Sequence, residues 1–86
     1  MTRSIPAYAV TDTLTDHGHP SSTHRHTWAP GHRVHQASPR TIRLWHDGPD
    51  EEQHLDEYAV LLRAAGYIVI AERPAGQRPR LRVTHR

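Results

Sequence analysis

Apolar and polar residues alternate regularly only in the second half of the chain, and this pattern predicts the fold. Residues 41–46 alternate as a strand does, with Ile42 and Leu44 on one side. Residues 67–73 are rich in β-branched side chains, and residues 80–85 alternate again. We therefore expect three strands after the midpoint of the chain.

The segment between the first two predicted strands has the spacing of an amphipathic helix. Asp50, with Gln53 three positions later, fits a capping box, and Gly66 suits the left-handed position that ends a helix. We expect these helix and strand residues to form the core: Leu55, Tyr58, Leu62, Ile42, Leu44, Leu81 and Val83. Either Ile68 and Ile70 or Val69 should join them, depending on which side of the second strand faces inward.

The order of strand, helix, strand and strand predicts an α+β fold. Residues 40–86 are expected to form a small βαββ domain, in which one helix packs on one face of a three-stranded sheet. The helix between the first two strands is a crossover connection, so these strands are expected to be parallel if they share a sheet. The connection itself is expected to be right-handed. The last strand is expected to pair antiparallel, either at the edge of the sheet or between the other two.

The first part of the chain shows no sustained period. Residues 1–39 are therefore predicted to be a histidine-rich arm, mostly irregular, with a short strand at residues 7–10 as an open alternative. Residues 29–32 (APGH) have the turn residues of a hairpin, so a hairpin at about residues 23–36 is a second alternative.

The composition restricts the origin and the chemistry of the protein. The chain has 86 residues, enough for one small domain, and its eleven Lys and Arg positions are all arginine. It has no Lys, Asn or Phe, a bias that indicates a high-GC bacterium or its mobile element. The absence of Cys excludes disulfides and thiolate chemistry. No apolar segment resembles a signal peptide or a membrane span, so a cytoplasmic protein without a membrane partner is expected.

Four histidines lie within residues 17–26 of this cysteine-free chain. If a metal bound there, its ligands would be His24 and His26, on one side of a strand, together with His17 and His19. No spacing matches a known zinc pattern, so we expect no metal and no cofactor. The histidines are expected to face solvent or a partner, with a pH-responsive surface as the alternative.

Charge is sorted along the second half of the chain. Residues 50–65 hold five acidic residues and one arginine, whereas residues 66–86 hold five arginines and one acidic residue. Because side chains alternate along a strand, three arginines and a tryptophan of the first and last predicted strands are expected on the sheet face opposite the helix. Two further arginines of the adjoining loop are expected to lie near them. The predicted binding residues are Arg43, Trp45, Arg80 and Arg82 on this face and Arg73 and Arg78 in the loop.

These features predict a small, non-enzymatic binding or regulatory module. It would act through contact with a protein partner or through self-association on the arginine- and tryptophan-bearing sheet face. The alternative is nucleic-acid binding, in which the same face and the loop at residues 74–79 hold phosphates while Trp45 stacks on bases.

Residues 55–86 have a helix that ends in Ala65-Gly66-Tyr67 and a following hairpin with basic residues. In this they resemble small ribonuclease toxins of the double-stranded-RNA-binding type. The resemblance implies a catalytic Gly-Ser/Thr-His motif at the second strand, but that region reads ERPAGQRPRL and has no histidine. His46, His85 and Tyr67 remain as general acid–base groups for such a reaction, and we expect no enzyme.

Overall fold

The computed structural model describes residues 3–23 and 29–86. Its elements, in chain order, are α1 (Ala7–Asp16), β1 (Gly31–Ser38), β2 (Thr41–Asp47), α2 (Glu51–Ala64), β3 (Tyr67–Glu72) and β4 (Arg80–His85). The strands form one sheet in the order β1-β2-β4-β3, and all neighbours are antiparallel. No helix of the described ranges is long and apolar enough to cross a membrane.

The α+β class predicted from the sequence is confirmed, with four strands and two helices in place of three and one. Strands β2 and β3 are parallel to each other, and β4 lies between them. Of the two positions expected for the last strand, the structure therefore has the inner one. The helix connection from β2 to β3 consequently spans a strand position instead of joining direct neighbours.

The N-terminal half differs from the prediction of an irregular arm. Residues 7–16 form a helix and not a short strand, and this helix buries Val10 and Leu14 against the rest of the core. Residues 31–38 form a strand that pairs with β2. The alternative of a hairpin at about residues 23–36 stays a prediction, because residues 24–28 lie outside the described part of the chain.

The core lies between the sheet and the two helices. The residues predicted to be buried are confirmed, since Leu55, Tyr58, Leu62, Ile42, Leu44, Leu81 and Val83 are all at most 4% exposed. Val69, and not Ile68 and Ile70, is the inward residue of β3. Cross-strand pairs such as Leu44 with Leu81 and Ile42 with Val83 bring these side chains together on one face of the sheet.

The two ends of α2 are built differently. Gly66 has a φ of +98° and follows the helix, as the sequence predicted. At the start, Asp50 has a left-handed backbone with a φ of 58° and makes no side-chain capping hydrogen bond, so the predicted capping box is wrong. Here Glu51 and Glu52 in the first turn offset the positive end of the helix dipole.

Candidate functional site

The sheet has one face that neither helix covers, which we call the open face. Its residues are set by strand alternation and by the pairing of Arg33 with Trp45, Arg43 with Arg82 and Ile70 with Arg82. The open face comprises Arg33 and His35 of β1, Arg43 and Trp45 of β2, Arg80, Arg82 and Thr84 of β4, and Ile68, Ile70 and Glu72 of β3. Four of the six predicted binding residues therefore share one face.

Trp45 is partly buried and is covered by its neighbours on the open face. The guanidinium carbon of Arg33 lies 4.7 Å from the centre of the indole ring, within the range of a cation–π contact. The His35 ring lies 6.4 Å from the same indole. One side of the indole is thus already occupied by side chains of the same chain.

The arginines of the open face differ in their partners. Arg80 donates to Glu72 at 2.9 Å, and Arg33 donates to Asp47 at 3.0 Å. Arg43 and Arg82 lie directly opposite each other on β2 and β4. Within residues 3–23 and 29–86, no carboxylate lies within ion-pair distance of either. The open face consequently carries two adjacent positive charges that no carboxylate of the described residues balances.

The two loop arginines of the prediction lie in ion pairs at the start of α2. Arg73 pairs with Glu52, and Arg78 pairs with Glu51 at 2.6 Å. Arg78 also reaches Asp47 at 3.0 Å, and these carboxylates raise its pKa further. These two guanidinium groups are engaged within the chain, unlike those of Arg43 and Arg82.

Asp47 connects three segments at the end of β2. Its carboxylate accepts hydrogen bonds from Ser22 Oγ at 2.7 Å, Arg33 Nε at 3.0 Å and Arg78 Nη1 at 3.0 Å. Burial raises the pKa of Asp47, but the hydrogen bonds from Ser22, Arg78 and Arg33 outweigh it and lower the pKa overall. The charged carboxylate therefore ties the segment after α1, β1 and the β3–β4 loop together.

Two isoleucines complete the open face, and the sequence left their side undecided. Ile68 and Ile70 are each 43% exposed, and they lie across from Thr84 and Arg82 on β4. Residues 67–71 are apolar at every position, so alternation alone could not choose between the two sides of β3. The structure chooses Val69 for the core and leaves an aliphatic strip beside the unpaired arginines.

The opposite side of the sheet holds a histidine cluster, which consists of His19, His32, His46, His54 and Tyr58. His46 Nδ1 lies 2.7 Å from the Tyr58 hydroxyl, and the His46 ring stacks on His54 at 3.9 Å. His19 and His32 contact Tyr58 edge-on, at 5.2 and 6.1 Å between ring centres. Sequence reasoning missed this cluster, because its members come from four separate segments.

Burial determines the ionisation of this cluster. Desolvation lowers the pKa of His32, which is fully buried, and of His46, where the neighbouring His54 lowers it further. Burial likewise raises the pKa of Tyr58 to about 12. The buried members of the cluster are therefore kept neutral, and the Tyr58 hydroxyl stays protonated.

Of the four histidines named for a metal site, the structure describes His17 and His19. His17 is exposed, and its Nδ1 lies 2.8 Å from the carbonyl oxygen of Thr13. His24 and His26 lie outside the described residues. His19 instead meets His54 and Glu57 of α2, and one donor atom from each of these three lies within 4.8 Å of the others. Both His19 and His54 line a cavity of about 150 Å³.

The three groups considered for acid–base chemistry do not converge. His85 contacts Tyr67, with 5.0 Å between their ring centres. His46 lies at the other end of β2, because the β2–β4 register pairs Ile42 with Val83 and thus places His85 beyond the start of β2.

Comparison of the chain with protein families, curated proteins and solved structures gave no match.

Proposed function

We propose that the protein is a binding module whose open face engages a protein partner that carries carboxylates beside aliphatic side chains. The observation that carries this proposal is the pair formed by Arg43 and Arg82, which have no carboxylate partner in the described part of the chain and lie next to the exposed Ile70. Like charges opposite each other destabilise a sheet, so a carboxylate between them would remove an existing cost. A guanidinium fork also holds a carboxylate with two parallel hydrogen bonds.

The aliphatic strip favours a protein over a nucleic acid. Ile68 and Ile70 offer apolar area beside the arginine pair, as protein interfaces do at their centres. Stacking on bases would need a free indole, but Arg33 already lies over Trp45. Since Arg73 and Arg78 are held in ion pairs, few cations remain for phosphates.

Charge repulsion and the covered edges of the sheet favour a different protein as the partner over a second copy of this chain. Two open faces placed together would bring the Arg43 and Arg82 pairs of both copies close without a carboxylate between them. The β3 edge is partly covered, since Arg63 donates to the carbonyl oxygen of Val69 at 2.8 Å. The outer side of β1 is bonded at His32, whose backbone N–H donates to Pro20 at 2.9 Å.

The test uses a labelled peptide in which Glu-Glu and Leu-Leu pairs alternate, so that each side of the extended peptide presents both residue types. Its binding is measured by fluorescence anisotropy at about 50 and 200 mM salt. A peptide with Gln in place of Glu and a single-stranded oligonucleotide serve as comparison probes. We expect the Glu-Leu peptide to bind most tightly, because only it satisfies both the arginine pair and the aliphatic strip.

Two variants separate the contributions of charge and apolar area. Arg43→Gln/Arg82→Gln should weaken binding of the Glu-Leu peptide by about tenfold or more, the effect of losing charge-assisted hydrogen bonds. Ile70→Thr keeps a β-branched strand residue and should also weaken binding. The matched control is Arg40→Gln/Arg86→Gln, which removes two exposed arginines outside the strands and should have little effect.

Three results would overturn the proposal. Tighter binding of the oligonucleotide, with no effect of Ile70→Thr, would indicate a nucleic-acid interface, and contacts to two phosphates would give a log–log salt slope of about −1.4. A doubled mass in light scattering, with none of the three probes bound, would indicate self-association. An equal loss in the Arg40/Arg86 control would indicate non-specific attraction to a basic protein.

A further inference from the structure

Three metal-binding side chains meet where the segment after α1 approaches α2. His54 and Glu57 are three residues apart on one side of α2, and His19 lies in the connection between α1 and β1. One donor atom of each lies within 4.8 Å of the other two. The site is assembled by the packing of α1 on α2, so no motif in the sequence encodes it.

The distances suit a four-coordinate zinc ion after small side-chain rotations. Zinc bonds of ~2.0–2.2 Å in a tetrahedron place neighbouring donor atoms roughly 3.4 Å apart. His54 Nδ1 and Glu57 Oε2 are already 3.8 Å apart. Glu57 is exposed and His19 is only partly buried, so both can adjust without a change in the core.

A second observation concerns the His54 donor atom itself. His54 Nδ1 is buried and has no hydrogen-bond partner within the described part of the chain. A buried polar atom without a partner costs free energy, which a bound ion would remove. His54 is held in place by its stacking on His46, and the His19 backbone N–H donates to Leu14 at 2.9 Å. The His54 imidazole and the His19 backbone are therefore positioned before any ion binds, and the side chains of His19 and Glu57 can rotate toward it.

We propose that His19, His54 and Glu57 bind a zinc ion. Two imidazoles and one carboxylate form a donor set that zinc accepts, with the fourth position left for water or for a ligand from a partner. Calcium and magnesium prefer sets made of oxygen donors alone, so the two imidazoles select against them. This proposal departs from the expectation of a metal-free protein, which rested on spacing along the chain.

The test is calorimetric titration of the chelator-treated full chain with zinc chloride, about one pH unit above the usual histidine pKa of ~6.5. His54→Gln and Glu57→Gln should each weaken the tightest zinc binding by more than ~100-fold, since even residues that only support a ligand contribute ~10–100-fold. Glu57 is exposed, so its variant should keep the fold, which circular dichroism checks. A rise of the wild-type melting temperature with zinc should be absent in both variants.

Two controls distinguish this site from the histidine-rich segment of the chain. Asp56→Asn changes a neighbouring exposed acid of α2, and His24→Gln/His26→Gln removes two of the clustered histidines; neither should affect the tightest site. If zinc binding is lost only with His24 and His26, or is unchanged by Glu57→Gln, the proposal is wrong. Cobalt gives an independent readout, because tetrahedral coordination produces visible absorption that Glu57→Gln should change.

Discussion

Removal of the Asp47 carboxylate should be among the most destabilising polar substitutions in the protein. This side chain is 11% exposed and accepts hydrogen bonds from three separate segments. Asp47→Ala would leave the Ser22 hydroxyl, on a fully buried residue, without its acceptor. It would also separate Arg33 and Arg78 from their shared carboxylate.

The magnitude follows from the exposure of each partner. An unpaired buried hydroxyl costs ~1–3 kcal/mol of unfolding free energy. The Arg33 and Arg78 side chains are 39% and 47% exposed, so solvent screens their ion pairs to no more than ~0.5–1 kcal/mol each. The expected loss is ~2–5 kcal/mol for Asp47→Ala, or roughly 10–40 °C in melting temperature for a domain of this size. Asp47→Asn keeps one acceptor oxygen and should lose about half as much.

The assay is urea unfolding across a range of pH, with Asp56→Ala as the control for an exposed acid. The pKa of Asp47 is lowered in the folded state, so its stabilising effect is present above the ordinary pKa of ~3.8 and is lost as the pH falls through the folded value. The wild type and Asp47→Ala should therefore converge in strongly acid solution. In the Asp47→Ala background, Ser22→Ala should cost little, because the orphaned hydroxyl is removed. Equal stability of Asp47→Ala and Asp56→Ala at neutral pH would refute the reasoning.

Two further predictions concern the core and the buried histidines. Leu62→Ala should cost ~2–5 kcal/mol of unfolding free energy, whereas Val60→Ala, at a position 65% exposed on the same helix, should cost less than ~0.5 kcal/mol; similar urea midpoints would show that the buried face of α2 is misassigned. Chelator-treated protein should lose stability as the pH falls below the ordinary histidine pKa of ~6.5, because His32 and His46 have lowered pKa values when folded and the unfolded chain binds more protons. A flat stability curve from about pH 7 to 5 would contradict this cause.

The second half of the fold was predictable because its local pattern and its tertiary environment agree. In β2 and β4, the inward residues Ile42, Leu44, Leu81 and Val83 are aliphatic, so alternation predicted that Arg43 and Arg82 lie on the opposite face. In β3 the run of apolar residues hid the periodicity, and packing against α2 decided that Val69 faces inward. The sequence therefore predicted the strand but not which of its two sides faces the core.

The N-terminal half was not predictable because strand β1 has polar residues at inward positions and helix α1 has weak helix formers. In β1, His32 is fully buried and Gln36 uses its side-chain amide to bond Ile5 and Ala7, so no alternation of apolar residues exists to be found. Helix α1 has threonine at several positions, a residue of weak helix propensity, and forms against α2. Both elements depend on contacts with residues far along the chain.

The candidate sites likewise have a part that the sequence pattern predicts and a part that depends on tertiary contacts. Strand alternation alone placed four predicted binding residues on one face, but the ion pairs of Arg73 and Arg78 depend on how the β3–β4 loop folds against α2. The donors His19 and Glu57 are joined only by helix packing. Spacing along the sequence therefore contains information about faces, but not about groups that tertiary contacts assemble.

Strand β2 lies between the two proposed sites. Trp45 faces the open face, while the next residue, His46, faces the helices and stacks on the proposed zinc ligand His54. No side chain of the described residues belongs to both sites, and a sheet separates them, so their effects should add within about 0.5 kcal/mol. Zinc binding therefore leaves the open face as it is unless movement of His46 shifts the backbone at Trp45. For this reason the two proposals can be supported or refuted separately.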